Sequence, residues 1–233
     1  MSQQSAWERE YQHPQLVTKA EGPRSDLKAY LKRLRKTEGM RVEGWDILDL
    51  GSGTGRNANY LAEIPNRVIG LEFSPTAIRL AEARAEELGV SALAKYRLAD
   101  IGARESFVPF PNNSFDLAID IMSSNSLSEK ERNIFLEEIH RVLKPGGYFF
   151  VRGLLKNGDK HVKNLLRENP GREHDTYHNK DMNLTERVFS RDDFVDLYSR
   201  YFEIRQFEKK TNYARFKGQS YKRKYFLAYL RNR

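Results

Sequence analysis

Residues 47–57, Ile-Leu-Asp-Leu-Gly-Ser-Gly-Thr-Gly-Arg-Asn, decide the fold. Ile47, Leu48 and Leu50 form a short apolar run that reads as a buried strand. Glycines at 51, 53 and 55 then make a tight turn, and the residues from Arg56 to Glu63 suit a helix. A strand that ends in glycines and opens into a helix offers backbone N–H groups and a positive dipole end to a ligand. The stretch is a nucleotide-type binding loop, expected to present unpaired amides to an anion.

Spacing narrows the ligand. A dinucleotide fingerprint wants a small residue at position 56, where pyrophosphate presses on the helix, and this chain has Arg56. A phosphate loop ending in Gly-Lys-Ser/Thr is absent. What remains is Asp-x-Gly-x-Gly-x-Gly, led by Asp49. A carboxylate there repels pyrophosphate and suits an ammonium beside a carboxylate, as in the methionine part of S-adenosylmethionine (SAM). On these residues the chain resembles the class I SAM-dependent methyltransferases.

Four later features fall in the order the resemblance requires. Arg67-Val-Ile-Gly-Leu-Glu72 is a second apolar strand with a terminal carboxylate, 17 residues past Gly55. In the family this carboxylate accepts both ribose hydroxyls. Leu98-Ala-Asp100-Ile101 is the next acidic strand end, where the family sets an Asp on the adenine amine and the next residue against the ring. Phe115-Asp-Leu-Ala-Ile-Asp120 resembles the fourth strand, and Arg141-Val-Leu-Lys-Pro-Gly-Gly147 the turn into the fifth. The resemblance thus implies a cofactor set of Asp49, Gly51, Ser52, Gly53, Gly55, Asn57, Glu72, Phe73, Asp100, Ile101 and Asp120, with S-adenosylhomocysteine as product. Asp116 reads as structural, Lys144-Pro-Gly-Gly as a turn and His140 as a packing residue.

Strands and helices alternate along the chain, the pattern of a doubly wound α/β sheet. Helices are expected at 25–36, from Pro75 to about Leu88, from Ser128 to Leu143 and after Ser190. Ser74-Pro75 supplies an N-cap and first-turn proline, and Ser128 with Glu131 a capping box. Strands are expected near 92–99, 115–121 and 147–152, with 154–189 less regular. Two late strands, 202–208 and 221–230, read as an antiparallel hairpin joined by the polar stretch 211–220. The expected architecture is a mostly parallel, seven-stranded Rossmann-like sheet ending in that hairpin. The chain reads as one domain: residues 1–40 form an N-terminal lid and helices, 45–153 the cofactor core, and 154–233 the substrate side.

The 233 residues hold no cysteine, which excludes disulfides, thiolate zinc sites and cysteine nucleophiles. No apolar run approaches the ~20 residues of a membrane span, and the N-terminus lacks a signal-peptide core. A cytoplasmic protein is expected, with no membrane or stable protein partner inferred. The net charge of +8 lies in residues 201–233, where ten Lys or Arg oppose Glu203 and Glu208. Basic residues interleaved with Tyr213, Phe216, Tyr221 and Tyr225 suit RNA; the same residues also protect a sheet edge from pairing.

Methyl transfer from a sulfonium asks mainly for orientation, and a general base only where the acceptor must lose a proton. Catalytic residues are therefore unassigned, with Asp120, Tyr11, His174 and His178 as candidates. Trp7 and Tyr11 suit a lid or a frayed terminus. The polar run from Asp120 to Ser126 follows the fourth strand, where the family places acceptor contacts. His174 and His178 offer a base, a lid or two metal ligands, but no third ligand accompanies them and no metal is expected. The reading is methyl transfer to a small-molecule acceptor. RNA methylation, a non-catalytic SAM-binding protein and a nicotinamide oxidoreductase are the alternatives; Arg56 and the terminal hairpin oppose the last.

Overall fold

The structure is a computed structural model that describes residues 3–14, 22–216 and 219–233, leaving aside the side chains of 214–216 and 219–221. A seven-stranded sheet organises the chain. In chain order its strands are β1 (Asp46–Leu50), β2 (Arg67–Glu72), β3 (Ala94–Leu98), β4 (Phe115–Ile121), β5 (Leu143–Leu154) and, after a two-stranded hairpin β6 (Thr176–Asn179) and β7 (Leu184–Arg187), β8 (Phe202–Phe216) and β9 (Gln219–Asn232). Across the sheet the order is β3-β2-β1-β4-β5-β9-β8. The first five strands pair in parallel, and β9 pairs antiparallel with both β5 and β8.

This order places β1 beside β4 while β2 and β3 run the other way from β1. The carboxyl ends of β1 and β4 therefore border the crevice where an open sheet takes its ligand. Asp49 opposite Ile119 and Leu50 opposite Asp120 fix the register there.

Helices cover both faces. On one face lie α2 (Ser25–Thr37), α3 (Arg56–Glu63) and α4 (Pro75–Glu87). Leu27, Tyr30 and Leu34 of α2 and Leu61 of α3 pack there on Ile47, Ile119 and Phe150. Tyr30 stacks between Phe150 and Tyr229, with ring centroids 4.9 and 5.0 Å away. On the other face, Phe135 and Ile139 of α5 (Glu129–Val142) and Phe194 and Tyr198 of α7 (Arg191–Tyr198) meet Leu48, Phe149 and Phe226. Burial of aromatic side chains on both faces is the main stabilising term. The expected starts are seen: the Ser74 hydroxyl accepts from the Ala77 amide, and Ser128 with Glu131 closes a capping box.

The structure departs from the sequence reading in three places. The stretch 211–220 is no loop: β8 and β9 run through most of it and pair from Phe202 to Phe216. On the N-terminal side of Lys224, whose carbonyl still accepts from the Leu155 amide at 3.1 Å, β9 pairs with β8 alone, so the ribbon extends beyond the sheet. β9 is also covered on both sides, with Phe226 and Leu227 equally buried, so within the hairpin only β8 is an edge strand.

The segment 154–189 has more order than its pattern suggested. It holds α6 (Lys160–Glu168) and the β6–β7 hairpin around a small core of Leu154, Val162, Tyr177 and Val188. Residues 3–12 form α1 (Gln3–Gln12), so the described N-terminus is a docked helix and not a frayed end. Among the described residues, no helix is long and apolar enough to cross a membrane.

Candidate functional site

A cavity of about 360 Å³ opens at the carboxyl ends of β1, β2 and β4. Its floor is the glycine loop. Gly51, Gly53 and Gly55 all have positive φ, which side-chain-bearing residues rarely adopt. The loop bends back along β2: the Gly51 and Ser52 amides donate to the Leu71 carbonyl at 2.8 and 3.0 Å, and the Gly55 amide to the Ser52 carbonyl at 3.1 Å. The Gly53 amide donates to Glu72 Oε2 at 2.9 Å. Four loop amides are thus occupied within the protein. The expectation of unpaired amides aimed at an anion fails at these positions, because β2 lies close enough to take them.

Two carboxylates flank the loop. Glu72 Oε1 accepts from the Phe73 and Ser74 amides, both at 3.0 Å. Burial raises its pKa against the pull of those backbone bonds. Its bonds fix the carboxylate at the cavity wall with lone pairs to spare. Asp49 is 1% exposed, and its Oδ2 is buried without a hydrogen-bond partner. Burial lifts its pKa to about 7, with Arg56 opposing and Glu72 and Asp120 adding to the rise. A buried carboxylate oxygen left without a partner is costly, and a cationic ligand group relieves that cost. The residues present therefore fit a donor with an ammonium at Asp49 and a diol at Glu72.

The sequence-derived residues divide cleanly. Gly51, Ser52, Gly53, Asn57, Glu72, Phe73, Asp100, Ile101 and Tyr11 line the cavity. Gly55 and Asp49 lie behind that lining. Asp100 Oδ1 accepts from the Gly102 amide at 2.8 Å, which shapes the turn after β3. Asn57 Oδ1 also accepts from the Arg24 amide at 3.0 Å and so ties the start of α2 to the loop.

Asp120 is fully buried away from the lining. Its Oδ1 accepts from the Ser123 amide at 3.1 Å and hydroxyl at 2.5 Å, and its Oδ2 from the Ser124 hydroxyl. These bonds make it the organiser of the turn that presents Met122 and Ser123. His174 and His178 also stand off the cavity. His178 Nδ1 lies 3.3 Å from Thr185 Oγ1 in a second hollow of about 750 Å³, which shares Gln3, Ser126 and Leu127 with the first. His174 groups with Asp175 and Asp193 and not with His178, their ligand atoms all within 4.8 Å.

The roof was only partly legible. Helix α1 lies across the opening with Trp7 and Tyr11 in the lining. Gln3 Nε2 donates to the Ser126 carbonyl at 2.6 Å and Gln4 Nε2 to the Phe73 carbonyl at 2.9 Å. Glu8 accepts from the Ser74 and Thr76 hydroxyls, both at 2.5 Å. Burial, and then the charge of Glu72, drives the Tyr11 hydroxyl far above its ordinary pKa, so it stays protonated. Gln3, Gln4 and Arg24 had no motif to mark them, whereas Thr54 lies within the glycine motif and was left out of the expected set. Arg56 did carry a signal, its place directly after the last glycine.

The site is thus an open α/β sheet ending in an antiparallel pair, with a glycine bend and two buried carboxylates at its switch point. Residues 48–151 match the family described as methyltransferase domain.

Among proteins similar to the chain is the fatty-acid O-methyltransferase of Mycolicibacterium smegmatis, 33% identical over 110 residues, covering 46% of this chain and 36% of that protein. The fold resembles a SAM-dependent methyltransferase from Methanosarcina mazei, with a TM-score of 0.72, 23% identity and coverage of 91% of this chain and 98% of the other. It also resembles the Burkholderia thailandensis 1,6-didemethyltoxoflavin-N1-methyltransferase solved with bound 1,6-didemethyltoxoflavin and S-adenosylhomocysteine; the TM-score is 0.67 at 18% identity, covering 98% and 86%. The chain spans about half, or less, of the length of the curated relatives it matches.

Proposed function

We propose that the protein transfers the methyl group of SAM to a small-molecule acceptor. The observation that carries this reading is the orphaned Asp49 Oδ2 beneath a glycine loop whose own amides are spent. A site built for phosphate would show the reverse. Asp49 would hold the donor's ammonium, Glu72 its ribose hydroxyls, and Asp100 with Ile101 the adenine. The bound donor supplies an electrophilic methyl, and the protein's residues hold it in line with the acceptor and keep water out.

Support for a small acceptor comes from the closed roof. Helix α1 is joined by hydrogen bonds to both sides of the opening, which leaves an enclosed space better matched to a small molecule than to a nucleic-acid strand. Names of similar proteins point the same way: a fatty acid in one and a toxoflavin precursor in another. RNA remains the second reading because the β8–β9 ribbon is basic and Tyr213 is 68% exposed. Part of that charge is already paired, Lys210 with Glu208 and Arg223 with Asp159.

Titration calorimetry with SAM, S-adenosylhomocysteine and NAD, followed by tritium transfer from labelled SAM into fractionated cell extract, tests the reading. SAM affinity with label in the small-molecule fraction is expected. Preference for NAD ends the proposal, and label confined to RNA replaces the acceptor.

A further inference from the structure

The cavity carries two guanidinium groups where the donor supplies one carboxylate. Arg56 opens α3 directly after the glycine loop and is coupled to Asp49 by charge. Arg24 precedes α2, and both arginines line the cavity half-buried. Among the described residues neither forms an ion pair with a carboxylate. Arg24 Nε is buried with no hydrogen-bond partner. Asp26, a carboxylate that acts on Arg24, is engaged elsewhere: its Oδ2 accepts from Arg152 Nε at 3.0 Å. Arg152 itself stacks on Tyr225, 4.0 Å from the ring centroid. Burial, and then repulsion from Arg56 and Arg152, lowers the Arg24 pKa to about 10, which still leaves it charged at neutral pH.

Enclosed cations without partners are unfavourable, and an anion relieves them. SAM brings a single carboxylate, which can meet one of the two guanidinium groups and leaves the other without a counter-ion.

A second observation concerns protons. No histidine lines the cavity among the described residues. Glu72 is committed to three backbone amides, Glu131 to the capping box of α5, and the Tyr11 hydroxyl is held protonated. Asp100 holds the Gly102 amide through Oδ1 and is taken, on the proposed function, by the adenine; no other group is left placed to remove a proton from an acceptor, so the acceptor must arrive already able to attack.

Building on the methyltransferase reading, we infer that the acceptor is an oxyanion, a carboxylate or an ionised enol or phenol, seated on Arg24, while Arg56 meets the donor's carboxylate. An oxygen lone pair forms the new C–O bond, and the C–S bond breaks with its electron pair left on sulfur. No proton moves, and the negative acceptor and positive sulfonium give neutral centres. A partly enclosed cavity favours that cancellation of charge.

The test pairs crystallography with product analysis. Crystals of the S-adenosylhomocysteine complex are soaked in bromide, and anomalous scattering locates the anion. Bromide against the Arg24 guanidinium, with Arg56 on the cofactor carboxylate, is expected. Tritium from labelled SAM is expected on oxygen: alkali-released methanol marks a carboxylate, and an alkali-stable ether marks an enol or phenol.

Arg24→Gln should raise the acceptor KM roughly 10- to 100-fold while S-adenosylhomocysteine affinity by calorimetry stays unchanged, and Arg24→Lys should recover part of the loss. Both guanidinium groups on the cofactor carboxylate with no bromide in the cavity, or label on nitrogen or carbon, each overturns the inference and leaves the methyltransferase reading standing. Failure to bind either SAM or S-adenosylhomocysteine removes that reading itself.

Discussion

The cavity has two rims built on different principles. The inner rim, made by the ends of β1 and β2 and the glycine loop, is held by backbone hydrogen bonds and a fully covered sheet. Its polar groups, Asp49 and Glu72, are 1% and 4% exposed. The outer rim is helix α1, held mainly by the side chains of Gln3, Gln4 and Glu8 on the carbonyls of Ser126 and Phe73 and the hydroxyls of Ser74 and Thr76. An inner rim of this kind is preorganised, so its geometry does not wait for a ligand. An outer rim of side-chain bonds, each worth about 0.5–1.5 kcal/mol, can open and close. On the proposed function, affinity is expected to follow the inner rim and residence time the outer one.

The largest effect is expected at the inner rim. Gly53 has φ 55°, and a Cβ placed there meets the Tyr11 hydroxyl at 2.8 Å. Gly53→Arg combines backbone strain with overpacking, and should weaken SAM binding by more than about 3 kcal/mol. Calorimetry reads this directly, and near-normal affinity would show that the loop does not contact the donor.

This rim was also the part legible in the sequence. Three glycines after an apolar run, with carboxylates at fixed distances, are local signals, and they located Asp49, Glu72 and the turn at Asp100. The lid was less legible because Gln3, Gln4 and Glu8 bond to groups 66 to 123 residues away, and nothing local marks such partners. Asp120 shows the limit within a motif. Its position at a strand end was read correctly, but Ser123 and Ser124 just after it take up its oxygens. The β8–β9 ribbon was shortened in the reading because a strand pair that projects from the sheet lacks the apolar alternation by which strands are recognised.

Glu72→Ala comes next in size. It removes the acceptor for the Gly53, Phe73 and Ser74 amides along with the partner proposed for the donor's diol. A loss of about 1–3 kcal/mol in SAM affinity is expected, together with a lower melting temperature without ligand. Loss of stability with affinity intact would make Glu72 a strut for the loop and not a ligand.

Asp49 supplies a pH signature. Its pKa is about 7 in the free protein because burial disfavours its charge, against about 3.9 for an unfolded aspartate. The native state then holds the extra proton between those values. Stability of the free protein should fall as pH rises from about 4 to about 7 and level off above. A bound ammonium favours the carboxylate, so SAM affinity should move the opposite way. It should rise by at most tenfold per unit up to about pH 7 and then flatten. Asp49→Asn should remove both slopes, and an unchanged affinity profile in that variant would sever Asp49 from the donor.

The smallest effect sharpens the contrast most, because it falls on the outer rim. Glu8 Oε2 accepts from the Ser74 hydroxyl at 2.5 Å and the Thr76 amide at 3.3 Å, while Oε1 accepts from the Thr76 hydroxyl at 2.5 Å. The carboxylate thus sits at the N-terminal end of α4, where the helix dipole favours negative charge. Burial acts to raise its pKa, but the bonds from Ser74, Thr76 and Gln12 together outweigh it and leave the pKa lowered. Glu8→Ala should cost about 1 kcal/mol of lid docking, seen in stopped-flow measurements as a faster SAM off-rate with little change in on-rate. A group with a lowered pKa keeps its contribution above the ordinary carboxylate value and loses it as pH falls through the lowered one. Acid release of the lid is therefore expected below about pH 4, well under the range in which Asp49 titrates. Off-rates measured across both ranges should show two separate transitions, one removed by Asp49→Asn and the other by Glu8→Ala. A single transition lost in either variant would mean that lid and loop move as one unit, and the division between a fixed rim and a closing one would fail.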